Sequence, residues 1–110
     1  MSLDIREPDW KVLRDVEPLA LDRLCEQILS EVTKVASDPD IGAHARYGKV
    51  YKLIHKCDKD IADAFDGLSR SNALLKLGIM VHLGLIAPGE LSRFSENVHD
   101  FLARLRSLRD

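Results

Sequence analysis

Five basic residues, Arg46, Lys49, Lys52, Lys56 and Lys59, recur at intervals of three or four along one stretch of this chain. At about 100° per residue they share an arc of a helix opposite its apolar stripe, which makes a continuous basic ridge. Such a ridge can lie along a phosphate backbone, where each neutralised phosphate releases counterions and adds salt-dependent affinity. Asp60 and Asp63 dilute it, no aromatic base-stacking residue interleaves with it, and no DNA-reading motif accompanies it. An ordinary solvated helix face is therefore the plainer expectation, with nucleic-acid binding as the alternative. Within the same stretch, His55-Lys56-Cys57-Asp58 packs three metal-ligand types into four residues. His55 and Cys57 stand about 200° apart on a helix and cannot share an ion. His55 with Asp58 or with His82 could, but no CxxC or HExxH spacing supports a centre, so neither metal nor cofactor is expected. His82 is expected to be a core or interface histidine. The chain has no GxSxG, no P-loop and no dinucleotide-binding glycine pattern, and Asp58, Asp60 and Asp63 fall on differing sides of their helix.

The elements that carry these residues follow from apolar spacing. Residues 1–17 are expected to form an N-terminal arm, with a short helix in which Trp10, Leu13 and Val16 repeat. Pro18 is placed to open the next helix, because a first turn has no use for the missing N–H. Leu21, Leu24, Cys25, Ile28, Val32 and Val35 form one apolar stripe, which Ser37-Asp38-Pro39-Asp40 ends. The longest segment runs from about Ile41 to Phe65, with Ala43, Tyr47, Val50, Tyr51, Ile54, Cys57, Ile61 and Phe65 at helical spacing and Gly67 as a left-handed stop. Gly48, inside that run, implies a close helix contact or a local bend, since it weakens a helix by about 1 kcal/mol relative to Ala.

From Ser69 or Ser71 to Leu83 the apolar residues point in every direction, as in a helix surrounded on all sides. Lys76 and His82 interrupt it, and a membrane span needs roughly 18 to 20 uninterrupted apolar residues. Gly84 and Leu85 suit a Schellman stop, Pro88 the first turn of a short helix with Glu90, Leu91 and Phe94, and Ser95 the cap of a last helix. That helix carries the stripe Val98, Phe101, Leu102, Leu105 and Leu108.

The chain has 110 residues, enough for one domain with its own core and too few for two. With 45% hydrophobic, 31% charged and 5% aromatic residues, composition excludes a disordered chain and favours helices. The net charge of −2 divides into −5 over residues 1–45 (10 acids, 5 bases) and +3 over residues 46–110 (8 acids, 11 bases), a balance unlike that of a committed DNA binder. Cys25 and Cys57 occupy apolar helical positions and read as free buried thiols. With no apolar run after a basic start, a cytoplasmic location is expected.

The stretches RYGKVYKLIHKCDKDIADAFDGLSRSNALLKL and GLIAPGELSRFSENVHDFL, within about residues 45–102, resemble a family of short, uncharacterised bacterial all-helical proteins. That resemblance implies a helical fold and a bacterial source and transfers no catalytic or binding residue. LGLI followed by an acidic helix is distantly similar to the mannitol-repressor-like helical proteins. Arg93 and His99, separated by five residues near the start of the last helix, resemble the signature of the HEPN superfamily, dimeric helical bundles in which such a pair cleaves RNA without metal. There the arginine holds the scissile phosphate while the histidine exchanges protons. Phe94 departs from the polar residue usual in that signature.

The expectation is an all-α bundle of four main helices, with a short N-terminal helical arm and a one-turn helix before the C-terminal helix. Its function is expected to be non-enzymatic interaction or regulation as a homodimer, with Ile79, Met80 and Leu83 of the apolar helix at the dimer interface. An unknown protein partner is compatible with this reading, whereas a membrane is not. The alternative is a nucleic-acid-linked protein using the basic ridge, with Arg93 and His99 for RNA binding or cleavage.

Overall fold

Asp9, Leu13, Val16, Ala20 and Leu24 are buried along one side of a single helix, α1 (Glu7–Ala36), in the computed structural model, which describes residues 4–109. Residues 1–3 of the expected arm lie outside the described residues. The arm and the first main helix are thus continuous, and Pro18 lies inside the helix rather than at its start. Pro18 is exposed, so the carbonyl it leaves without a partner faces water, and the buried stripe keeps its spacing past it. The start of α1 is fastened to the chain ahead of the apolar helix. The Ile5 N–H donates to the Arg70 carbonyl at 3.2 Å, and Arg70 pairs with Glu7 at 2.6 Å.

At the far end of α1 the Ser37 hydroxyl donates to the Thr33 carbonyl at 2.6 Å, and the Asp40 N–H donates to the Asp38 carboxylate at 2.9 Å. These local bonds turn the chain back into α2 (Ala43–Phe65), which packs along α1 in the most extensive interface of the fold. Half-buried Ile28, Val32 and Val35 on α1, with Val50, Leu53 and Cys57 on α2, mark the seam of this antiparallel hairpin.

The turn after α2 uses Gly67 at φ +64, and Asn72 holds it closed by accepting from the Ser69 N–H and donating to the Gly67 carbonyl, both at 2.8 Å. This turn delays α3 (Ala73–His82) beyond the expected start at Ser69 or Ser71. α3 ends as the sequence predicts: Gly84 takes φ +74, and the Leu85 N–H returns to the Met80 carbonyl at 3.0 Å, with Leu85 fully buried. A one-turn α4 (Pro88–Leu91) and α5 (Glu96–Arg109) complete the chain.

The described residues contain no strand, and the fold is all-α. The bundle expected from four main helices gives way to a hairpin standing on a compact base. Ile5, the first half of α1, the last residues of α2, α3, Leu85, Phe94 and Val98 supply the core. No residue between Leu24 and Ala64 is buried. Of the long helix α2, only the end, at Ala64 and Phe65, is buried in this core. The resulting shape is 54 × 25 × 25 Å, with a radius of gyration of 16.8 Å. A compact chain of this length would have about 13 Å. No described helix is long and apolar enough to cross a membrane.

Candidate interaction surface

The projecting half of the hairpin carries exposed apolar residues that a third layer would ordinarily cover. Leu29 is 58% exposed, Tyr47 71%, Tyr51 64% and Ile54 43%. At about 100° per residue, Leu29 lies roughly 80° round α1 from the seam, and Ile54, Tyr47 and Tyr51 lie roughly 60° to 120° round α2 in the same rotational sense. In an antiparallel pair the same sense of rotation leads to the same side. Since the hairpin closes between Ala36 and Ala43, Leu29 stands level with Val50, and Ile54 with Cys25. The four side chains thus form one patch along the hairpin. Asp22 and Glu26 border it on α1, and His44 and His55 border it on α2.

Of the basic ridge, Lys49, Lys52, Lys56 and Lys59 are exposed and make no ion pair among the described residues. Arg46 does not belong to it. Its side chain is half-buried and its guanidinium donates to the Asp38 carbonyl at 3.3 Å, which ties α2 to the hairpin turn. Tyr47 and Tyr51 also face outward, but on the apolar side of α2, so no aromatic residue interleaves with the lysines. The Tyr51 and His55 rings lie parallel, within 5°, with centroids 6.3 Å apart.

The structure does not unite Arg93 with His99. Arg93 turns to α1 and pairs with Asp15 at 3.0 Å. His99 instead lines a groove of about 480 Å³ between α3 and α5, together with His82 and Arg106 on otherwise apolar walls. His82 is therefore exposed at a groove rather than enclosed in the core. His55, Cys57 and Asp58 gather no third ligand, and the described residues contain no cluster of three or more potential metal ligands. Both thiols are free and half-buried. Burial pushes the Cys57 thiol up, with the Asp60 charge adding to it, which disfavours the nucleophilic thiolate.

Met80 is fully enclosed by its own chain, and Ile79 and Leu83 pack as partly covered residues against the core. Of the residues expected at a dimer interface, Met80 therefore has no surface to offer a second copy, whereas Ile79 and Leu83 keep part of theirs. α1, α2 and α5 all reach the short α3 and bury Ala73, Leu77, Gly78 and Met80, while Leu75 on its remaining side stays half exposed.

Two polar contacts hold the base in place. Arg23 pairs with Glu90 through both carboxylate oxygens, at 2.6 and 2.8 Å, and also donates to the Leu85 carbonyl at 2.9 Å. Its hydrogen bond, aided by the Ala87 N–H, lowers the Glu90 carboxyl to about 2. The Asp9 carboxylate, 3% exposed, receives the start of α5. Both arrangements are satisfied internally and leave no atom aimed at a ligand.

Sequence spacing found Tyr47, Tyr51 and Ile54 as apolar helix positions but not as surface, and it left Leu29 aside. The available signal was the breadth of the α2 stripe. From Leu53 round to Tyr51 it spans roughly 160°, more than one neighbouring helix covers.

Comparison of the chain with protein-family models, curated proteins and solved structures finds no match.

Proposed function

We propose that the protein is a small cytoplasmic interaction domain, without catalytic activity of its own, that works as a homodimer joined through the hairpin face of Leu29, Tyr47, Tyr51 and Ile54. The observation that carries this reading is the placement of those exposed side chains where the chain supplies no third layer. Together they offer on the order of 500 Å² of surface, near the upper size of the largest apolar patch on an ordinary monomer. Adding the bordering charged residues brings the face toward the roughly 800 Å² per partner of a stable interface. Sedimentation equilibrium at tens of micromolar tests it: the wild type is a dimer, and Tyr51→Glu with Ile54→Glu yields a folded monomer. A monomeric wild type ends the reading.

A second reading has its own support in the exposed Lys49, Lys52, Lys56 and Lys59, which make no ion pair among the described residues, with the His55 ring, parallel to that of Tyr51, at their edge. Lysines of this kind bind phosphates and exposed rings stack on bases. Fluorescence polarisation with single-stranded RNA should then show salt-dependent binding that is lost with Lys52→Glu and Lys56→Glu. No binding at low salt removes this reading.

A further inference from the structure

The groove between α3 and α5 differs from the rest of the base in how its polar groups are placed. One face of α5 supplies His99, Leu102, Ala103 and Arg106, spaced as i, i+3, i+4 and i+7, and Gly78, Val81 and His82 face them from α3. Leu91 of α4 and Leu105 extend the apolar walls, which are only half-buried. No lining residue is acidic. The two nearest acids on α5, Glu96 and Asp100, lie roughly 60° and 100° round the helix from His99 and outside the lining.

Among the described residues, the side chains of His82, His99 and Arg106 make no hydrogen bond or ion pair, whereas Arg23, Arg70 and Arg93 are each held by a carboxylate. The cavity on the other side of α5, about 310 Å³, balances its own charge, since Arg6 and Arg104 share its lining with Asp4, Asp9 and Asp100. The groove, at about 480 Å³, does not. Small-molecule sites are clefts of roughly 300 to 1,000 Å³ with apolar walls and a few convergent polar groups, and the groove has that make-up.

Its donors match a carboxylate. A guanidinium presents a planar fork to two carboxylate oxygens, and even a neutral imidazole donates one N–H. One fixed cation balances a single negative charge, which suits a carboxylate better than the nearly double charge of a phosphate monoester. The half-buried walls gain cover from an apolar chain laid between the helices, and each methylene buried there strengthens binding. Gly78 keeps that space open, because a Cβ at this position would stand 2.6 Å from Leu105 Cδ1.

We infer that the groove between α3 and α5 binds a monocarboxylate with an unbranched apolar tail. Arg106 takes the carboxylate with His82 and His99 beside it, and the tail lies along Val81, Leu91 and Leu102. The site shares no residue with the hairpin face, so it stands or falls independently of the homodimer.

The test follows amide chemical shifts of the full chain during titration with hexanoate, octanoate and 1-octanol. Octanoate should bind saturably with a dissociation constant on the order of a millimolar, with shifts centred on Gly78, Val81, His99 and Ala103. Hexanoate should bind about tenfold more weakly, and 1-octanol, which lacks the carboxylate, about fivefold more weakly. Ala103 and Arg106 are exposed, so variants there should keep the wild-type melting temperature. Arg106→Gln should bring octanoate level with 1-octanol, and Ala103→Trp, which fills the groove, should remove saturable binding of both. Equal binding of octanoate and 1-octanol by the wild type overturns the site, as do shifts centred on Tyr47 and Tyr51, octanoate binding that survives Ala103→Trp, or no saturable shift at all.

Discussion

Asp9 and Ser95 are 86 positions apart, and the Asp9 carboxylate accepts both the Ser95 N–H at 2.8 Å and the Ser95 hydroxyl at 2.6 Å. The residue before α5 thus receives its acceptor from the first turn of α1, through a carboxylate that is itself buried. Asp9→Ala leaves a donor without a partner, and the expected loss is about 2 kcal/mol of unfolding free energy. Urea denaturation should show a lower midpoint with an unchanged m value. Asp9→Asn, which keeps one acceptor, should fall between the two.

The Arg23–Glu90 pair makes stability depend on pH. Glu90 is held at about 2 in the folded state against an ordinary 4.5. Because the folded value is the lower one, its contribution is complete above about pH 4.5 and is lost as the pH falls from there toward 2. Arg23 is partly open to solvent, which limits the size of the effect. Thermal melts of the wild type should decline across that window. Those of Glu90→Gln should start lower and decline less, and parallel slopes would contradict the assignment.

Pro18 interrupts the hydrogen bonding of α1 at an exposed position without ending the helix. Pro18→Ala restores an N–H and relieves the ring's contact with the preceding turn. An increase in stability of about 1 to 3 kcal/mol is expected, within the span between Pro and Ala in helix interiors. An unchanged or lower melting temperature would show that the proline is needed for the path of α1.

Gly48 and Gly78 should respond oppositely to a side chain. A Cβ at Gly48 meets nothing within 4 Å, so the close contact expected from sequence is absent and Gly48→Ala should stabilise α2 by up to about 1 kcal/mol. A Cβ at Gly78 would lie 2.6 Å from Leu105 Cδ1. The end of a leucine can swing aside for alanine, but Gly78→Val should lower the melting temperature by forcing α5 away from α3.

The helical class, the stop at Gly84 and the short helix after Pro88 were legible because each depends on neighbours in sequence. The union of the arm with the first helix was not, since Pro18 carries the same signature at a helix start and on a solvent face. The buried spacing from Leu13 through Val16 and Ala20 to Leu24 decides between them, and it becomes visible only when the stripe is followed through the proline. The candidate surface was half legible. Tyr47, Tyr51 and Ile54 declare themselves apolar, but whether an apolar helix side is covered depends on contacts between distant segments. Met80 shows the converse: its helix is apolar all round, yet other elements of the chain enclose it. Arg93 was drawn away from His99 by Asp15, 78 positions earlier, which spacing within the motif cannot reveal.

The absence of any buried residue between Leu24 and Ala64 separates two levels of local stability. The base opens only by global unfolding, whereas the outer turns of α1 and α2 can fray by sacrificing half-buried contacts alone. In the proposed dimer a second hairpin raises the free energy of opening there, so hydrogen exchange at the tip is expected to slow with rising protein concentration. On that proposal, dilution loosens the tip while the base stays closed, and the outer turns of the hairpin take part of their stability from outside their own chain.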